Sequence, residues 1–290
     1  MKILRVTAAP YASLCRMTVS LFSAFSAGAG FLLVRGAGWR LAGVMSAVFV
    51  LACGASALNQ YCERATDARM HRTRSRSLPS GRVAPRGALL FSVALLFSGC
   101  ILLALGGNTY ALALGAFTVV WYNGVYTWLK RKTAFAVLPG GLVGAAPPAI
   151  GWVAAGGNLL DPRLLFLCFF FFMWQVPHFW LFLLDHGEEY ERAGLPSLTS
   201  VFEWDQIVRM SFVWISSVAV SCMLMGACGV TKSLPVNVSL FVVSLWLIGN
   251  GIMLLLGKAE KGDCSFAFRG MNAGMALVMI ILAVDRFFQF

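Results

Sequence analysis

The chain has few charged residues. Aspartate, glutamate, lysine and arginine together make up 12% of its 290 positions, whereas apolar residues make up 59%. A soluble domain carries about 25% charged residues and about 45–50% apolar residues. This chain therefore lacks the polar surface that would cover a globule in water, and its composition excludes a soluble enzyme. With a mean hydropathy of +0.77, the sequence is typical of an integral membrane protein with little mass outside the bilayer.

The sequence also lacks a cysteine framework and a balance of charge. Its eight cysteines include no CxxC pair, and those inside apolar runs act as small hydrophobes rather than as disulfide or zinc residues. The net charge of +11 comes from 23 lysines and arginines against 12 acids. Since the basic residues lie between apolar segments, they are typical of topology signals, and we expect no nucleic-acid partner.

About nine apolar segments can be drawn, each near the ~20 residues with which a helix crosses a bilayer. Only helices and closed barrels satisfy the backbone in lipid, and the segments show no alternation, so we expect an all-α integral membrane protein. We expect residues 1–290 to form one transmembrane domain, and the first segment to be a retained span rather than a signal peptide. The segments are 12–34, 41–58, 87–106, 110–129, 137–156, 163–184, 207–230, 235–257 and 270–286.

The distribution of lysine and arginine predicts the orientation. Most of the 23 basic residues fall at the N-terminus, in the polar stretches 59–86 and 185–206, and in the turns at Lys130 and Lys258. The positive-inside rule places these regions, and the N-terminus, in the cytoplasm and the C-terminus outside. We therefore expect about nine helices around a central cavity open to the cytoplasmic side of a bacterial inner membrane.

The polar stretch after the second segment carries the most specific pattern. Asn59, Glu63 and Asp67 are spaced four residues apart, so on a helix they form one stripe. Mg²⁺ is typically held by one or two carboxylates together with substrate phosphates. Arginines such as Arg72 and Arg76 follow at once and suit phosphate oxygens. The combination indicates a diphosphate site, although topology signals with surface acids as partners would explain the arginines alone.

This stretch, Asn59-x3-Glu63-x3-Asp67-x2-Met70-x-Arg72-Thr73-x2-Arg76, resembles the first signature of the UbiA-type intramembrane prenyltransferases. Similar motifs follow in the family's order, so the resemblance covers roughly residues 55–200 and is specific. They lie at 126–133, 140–152, 174–180 and 190–196.

The resemblance implies a role for each matching side chain. It implies that Asn59, Glu63 and Asp67 are catalytic and bind Mg²⁺, and that a second acidic motif at Asp185 and Glu189 helps to hold the metal. The residues implied in substrate binding are Arg72, Arg76, Lys130, Arg131, His178 and Tyr190. For His178, near the end of an aromatic run, we expect a contact to haem iron or a propionate. The alternative is a histidine hydrogen-bonded inside the bundle.

Within the family, the features at Met70 and Arg72-Thr73 resemble the branch that alkylates haem. The reaction implied is transfer of the farnesyl group of farnesyl diphosphate to a vinyl group of protohaem IX (haem b). Addition of water completes haem O and leaves diphosphate. The product would serve maturation of a haem-copper oxidase, with a haem A synthase or oxidase-assembly proteins as partners beside the membrane lipid.

The sequence departs from the family pattern at three places and leaves two alternatives open. Ser77 and Thr199 stand where the family usually has proline, and Glu189-Tyr190 stands for Asp-Tyr, but none of these changes removes a charge. One alternative is a related enzyme that prenylates an aromatic acid or quinone precursor. The other is a membrane transporter, which predicts inverted repeats with helices broken at the midplane.

Overall fold

A computed structural model describes residues 8–257 and 261–285. Every regular element within these residues is a helix, which confirms the predicted fold class. The helices are α1 (Ala8–Leu14), α2 (Met17–Val34), α3 (Trp39–Asp67), α4 (Pro85–Gly106), α5 (Thr109–Val120), α6 (Thr127–Leu129), α7 (Val137–Ala154), α8 (Pro162–Arg192), α9 (Trp204–Met223), α10 (Leu234–Leu256) and α11 (Lys261–Asp285). Short 3₁₀ turns occur at Ala134–Ala136 and Leu198–Ser200. The predicted turn at Lys258 lies outside the described residues.

Eight of the described helices are long and apolar enough to cross a membrane. The remaining predicted segment, 110–129, is helical from 109 to 129, but it is not a uniform α-helix. A π-helical turn, Trp121–Tyr126, joins α5 to α6. Of the about nine expected transmembrane helices, eight therefore match such helices in the described residues, and the remaining one contains a π turn, for which hydropathy carries no signal.

The first predicted segment, 12–34, is not one helix but two. Helix α1 ends before Arg16, whose φ of 44° and ψ of 57° are left-handed, and α2 begins at the next residue. Arg16 is the one non-glycine residue with positive φ in the described part of the chain. Such a backbone is costly for a side chain with a Cβ and is found where the surrounding structure requires it. The break therefore separates α1 from α2 at Arg16.

Helix α1 packs across the end of the bundle rather than through it. The ring of Tyr11 lies 5.3 Å from that of Phe91 on α4. The hydroxyls of Ser13 and Ser77 are 2.6 Å apart, and Gln60 Nε2 on α3 donates to the carbonyl of Leu14 at 2.8 Å. The first and last of these contacts join α1 to α4 and α3, and the Ser13–Ser77 contact ties α1 to the arginine-rich loop that follows α3.

Small residues bring α7 close to its neighbours. A Cβ at Gly151 would fall on the carbonyl oxygen of Ala27 in α2, and one at Gly141 would lie 2.8 Å from the Phe172 ring of α8. A Cβ at Gly140 would lie 2.6 Å from the Tyr126 ring. As the sequence predicts, these glycines allow close helix approach. Helices α2, α5 and α8 pack around α7, and α11 closes the bundle against α2, α8 and α10.

Candidate active site

An open cavity lies where α3 ends, between the π turn and the last turns of α8. Five cationic side chains line it, together with two carboxylates, one amide and three tyrosines. The lining residues are Arg16, Asn59, Glu63, Thr66, Asp67, Met70, Arg72, Arg76, Tyr122, Tyr126, Lys130, Arg131, Phe179, Tyr190 and Leu195. The excess of cations over carboxylates suits a polyanionic ligand.

The predicted stripe on α3 forms one wall of this cavity. Asn59, Glu63 and Asp67 lie on one face of the last turns of the helix and are 1%, 7% and 2% exposed. Buried carboxylates require a compensating charge, since their desolvation is costly. The three polar side chains of the stripe therefore form a buried polar site and not a solvent-exposed helix face.

Each carboxylate of the stripe is paired with a predicted diphosphate-binding cation. Arg76 Nη1 lies 2.8 Å from Asp67 Oδ2, and Lys130 Nζ forms an ion pair with Glu63 Oε1. Burial lowers the pKa of Lys130, although Glu63 opposes this effect. Burial likewise lowers the pKa of Arg76 below its usual value. Four of the predicted site residues thus meet at a single point of the fold.

Two contacts hold the loop after α3 at the cavity: a hydrogen bond to the carbonyl of Asp67 and the stacking of Arg72 on α8. The hydroxyl of Thr73 donates to the carbonyl of Asp67 at 2.8 Å, which turns the loop back under the helix end. The Arg72 guanidinium stacks 5.1 Å over the Phe182 ring of α8. On the other side, Arg131 Nη2 donates to the Cys62 carbonyl at 2.9 Å.

Three cavity residues were missed by the sequence analysis. Arg16 was assigned only to topology, because nothing in an apolar segment signals a left-handed break. Burial by itself would lower the pKa of its guanidinium, but Tyr122, Glu63 and Asp67 raise it above the usual value. Tyr122 and Tyr126 both line the cavity with their rings stacked 5.9 Å apart. Tyr126 opens the 126–133 motif, but no pattern in the sequence marks either tyrosine as a site residue.

Three predicted site residues do not line this cavity. Asp185 Oδ2 accepts from the Ser265 hydroxyl at 2.8 Å and so faces α11. Glu189 Oε2 accepts from the backbone N–H of Arg72 at 3.3 Å, which places it at the rim. His178 lies between two aromatic rings, 4.7 Å from Trp174 and 4.8 Å from Phe268.

The oxygen atoms of the stripe suit Mg²⁺, which is bound partly by substrate and water. They do not suit a metal that is held by protein ligands alone. Among the described residues, no group of three or more histidine, cysteine, aspartate or glutamate side chains could hold a metal ion. Mg²⁺ usually keeps waters and is bound through one or two carboxylates plus substrate phosphates. Glu63 and Asp67, with the Asn59 amide beside them, provide that incomplete set next to cations suited to phosphate.

Comparison with protein families decides the class of the molecule. The model of the UbiA prenyltransferase family matches residues 17–273, which include α2, the stripe, the π turn, α8 and much of α11. The chain belongs to the UbiA prenyltransferase family. The resemblance found in the sequence is thereby confirmed, and the transporter alternative is excluded. This UbiA-family chain is a multi-pass membrane prenyltransferase.

Individual relatives cover nearly the whole chain. The protoheme IX farnesyltransferase of Oleidesulfovibrio alaskensis is 36% identical over 278 residues, covering 94% of this chain and 95% of the relative. Among solved structures, a digeranylgeranylglyceryl phosphate synthase superposes with a TM-score of 0.76 at 18% identity, covering 96% and 98% of the two chains.

A second solved structure contains ligands. It is a UbiA homolog from Archaeoglobus fulgidus bound to GPP and Mg²⁺, with a TM-score of 0.65 at 12% identity and coverage of 95% and 100%. At these identities both structures show that the fold is shared. The family to which this chain belongs therefore includes a member that binds a divalent metal with a prenyl diphosphate.

Proposed function

We propose that this protein transfers the farnesyl group of farnesyl diphosphate to a vinyl group of protohaem IX, giving haem O and diphosphate. The observation that carries the proposal is the cavity in which a buried carboxylate pair on α3 is already matched to Arg76 and Lys130. The choice of substrates is supported by the similarity over 94% of the chain to a protein named protoheme IX farnesyltransferase.

The reaction replaces the bond between the farnesyl chain and diphosphate with a carbon–carbon bond, and it adds water across the vinyl group. The bond between C1 of the farnesyl chain and the diphosphate oxygen breaks, and the diphosphate leaves with the electron pair. The terminal vinyl carbon of the haem attacks C1, which leaves a cation at the vinyl carbon next to the ring. Water adds to this cation and loses a proton, so that the product carries one farnesyl group and one hydroxyl.

The first task of the protein is to stabilise the departing diphosphate. Arg72, Arg76, Lys130 and Arg131 would take up its charge, and Arg16 would approach from the break between α1 and α2. Cations aimed at the position where charge develops are an effective form of electrostatic catalysis. Mg²⁺, when held by Asn59, Glu63 and Asp67, adds Lewis-acid stabilisation of the leaving group.

The observed ion pairs indicate how the charged side chains would change partners when Mg²⁺ and diphosphate bind. Arg76 and Lys130 neutralise Asp67 and Glu63 in this structure. In the loaded site the carboxylates would bind the metal, and the two cations would turn to the diphosphate. Metal and diphosphate should therefore bind cooperatively, because either one alone would leave a buried charge without a partner.

The second acidic motif would join the site only after changing its contacts. Glu189 accepts from the Arg72 backbone, so a movement of the arginine loop onto diphosphate would release its carboxylate toward the cavity. Asp185 would have to leave Ser265. We therefore rank Glu189 before Asp185 as an additional metal ligand.

The second task is to keep water from the allylic cation until the acceptor arrives. The cavity is also lined by four aromatic side chains, those of Tyr122, Tyr126, Phe179 and Tyr190. Aromatic faces stabilise cations, and a closed apolar wall prevents hydrolysis. Tyr190 would contact the prenyl chain here. We propose that His178, which precedes the cavity-lining Phe179 on α8, contacts the haem from its aromatic stack.

The location follows from the same charge distribution. We propose that the cavity opens to the cytoplasm, with the N-terminus on that side, in the inner membrane of a bacterial cell. The arginine loop 68–84 and the basic turn at Lys130 lie at the end of the bundle that holds the cavity, in agreement with the positive-inside rule. The product would pass to haem A synthase or to proteins that assemble a haem-copper oxidase.

The test is pigment analysis by HPLC and mass spectrometry. Membranes containing the protein are given protohaem, farnesyl diphosphate and Mg²⁺. We expect a haem heavier by one farnesyl group plus one water, and no such product with EDTA. A prenylated phenolic acid, formed when one is offered in place of haem, would assign the protein to the quinone-type branch instead.

A further inference from the structure

We propose that Thr127 is a positioning residue that fixes which way the Asn59 amide points, so that its oxygen faces the metal position. Thr127 is 3% exposed and is not among the cavity-lining residues, so it acts through Asn59 rather than on a ligand. The inference rests on the proposed magnesium–diphosphate site.

The π turn creates the contact on which this role depends. The backbone N–H of Thr127 donates to the carbonyl of Tyr122, five residues earlier. The Thr127 hydroxyl also lies 2.8 Å from this oxygen. In an α-helix the carbonyl of residue 122 would pair with residue 126. Single π turns of this kind are rare in proteins, and many of those that exist lie at functional sites.

The hydrogen bonds leave only one orientation for the amide. A carbonyl oxygen can only accept, so the single hydrogen of the Thr127 hydroxyl is used on Tyr122. The hydroxyl oxygen can then only accept from its second neighbour, the Asn59 side chain at 3.0 Å. Only the NH₂ group of Asn59 can donate, and its Oδ1 is therefore directed away from Thr127.

This orientation matters because the two ends of an amide have opposite effects on a cation. Oδ1 is a ligand that Mg²⁺ accepts, whereas the NH₂ group would turn two hydrogens toward the metal. Asn59 lines the cavity beside Glu63 and Asp67, so a reversed amide would repel the ion that these carboxylates attract. Groups that orient metal ligands typically contribute 10–100-fold to metal affinity.

The experiment measures Mg²⁺ binding by calorimetry, using the full-length protein in nanodiscs with pyrophosphate present. We expect Thr127→Val to weaken Mg²⁺ binding about tenfold, and Thr127→Ser, which keeps the hydroxyl, to stay within about twofold of the wild type. Thr118→Val is the matched control, since the Thr118 hydroxyl donates to the Leu114 carbonyl on the same helix. It should leave Mg²⁺ binding unchanged.

A second variant separates the proposed role of Thr127 in orienting the Asn59 amide from a role in stabilising the fold. In Asn59→Asp the carboxylate has two equivalent oxygens and no orientation to fix, so adding Thr127→Val should cost less than about twofold. If Thr127→Val does not accumulate as folded protein, Thr127→Ala takes its place in both backgrounds.

Three results would overturn the inference alone: wild-type affinity in Thr127→Val, an equal loss in Thr127→Ser, or an equal loss in the Asn59→Asp background. Absence of Mg²⁺ binding by the wild type with pyrophosphate would overturn the proposed function, and with it this inference.

Discussion

Two acidic segments differ in what surrounds them. The stripe on α3 is buried, and its carboxylates Glu63 and Asp67 each have a cation in place inside the cavity. The segment at the end of α8 is dispersed. Asp185 bonds to α11 and Glu189 to the arginine loop, while Glu188 pairs with Arg192 at the surface.

The same four-residue spacing of acidic residues therefore occurs in two different structural environments. Four-residue spacing places carboxylates on one helix face in both segments. Only on α3 does that face meet a wall of cations contributed by other parts of the chain. We infer that the stripe is organised before ligands bind, whereas the second segment becomes organised as they bind.

The largest expected effect is that of Asp67→Asn. The substitution removes the charge that balances Arg76 and one of the predicted metal oxygens, so haem farnesylation should fall at least about 100-fold. The measurement is the initial rate of product formation by HPLC. Asp161→Asn is the matched control, because Asp161 also pairs with an arginine, Arg163 at 2.6 Å, at the opposite end of α8. Retained turnover in Asp67→Asn would contradict the site assignment.

Glu189→Gln tests whether the acidic segment at the end of α8 becomes organised only as the ligands bind. We expect a loss of about tenfold or more in kcat, with a much smaller change in the binding of Mg²⁺ with pyrophosphate, since the stripe remains intact. Rates and calorimetry on the same preparation check this difference. The contrast between the segments would be wrong if Glu189→Gln abolished binding as completely as Asp67→Asn.

Lys130→Gln tests the role of the cations. It removes a proposed diphosphate contact and should raise the KM for farnesyl diphosphate about tenfold, with less effect on kcat. Lys132→Gln is the control, since Lys132 lies two residues away on the same turn and stacks on Trp128 outside the cavity. Steady-state kinetics on both variants provide the comparison. Equal KM values for the two variants would remove Lys130 from the site.

The smallest effect is expected from Asp185→Asn. Because Asp185 bonds to Ser265 and ranks below Glu189 as a ligand, turnover should fall only about threefold. Ser265→Ala breaks the same hydrogen bond and leaves the carboxylate in place. A loss in Asp185→Asn far beyond that in Ser265→Ala, measured by product formation, would show that Asp185 binds the metal as strongly as the stripe does.

Much of the fold could be predicted from the sequence. Apolar length gave the helices, and four-residue spacing gave the common face of Asn59, Glu63 and Asp67. Arg76 and Lys130, which the family motifs assign to the same site, lie beside this face in the structure, and their role in binding diphosphate stays a prediction.

Other features depend on long-range packing, which a linear pattern does not contain. The break at Arg16 has no glycine or proline to mark it and depends on the contacts that α1 makes with α3 and α4. The π turn contacts α3 and α7, which lie far from it in the chain or follow it, and no residue pattern marks it. The environment of Asp185 is determined by Ser265, which lies 80 residues away in the chain.

The most direct test of the central claim is electron paramagnetic resonance with Mn²⁺ in place of Mg²⁺. The wild-type protein, given Mn²⁺ and pyrophosphate, should show a bound ion coupled to phosphorus. The signal should be weakened in Asn59→Ala and lost in Asp67→Asn, but retained in Asp161→Asn. The same phosphorus-coupled signal at full strength in Asp67→Asn would mean that the metal is held elsewhere, and the stripe would not be the magnesium site.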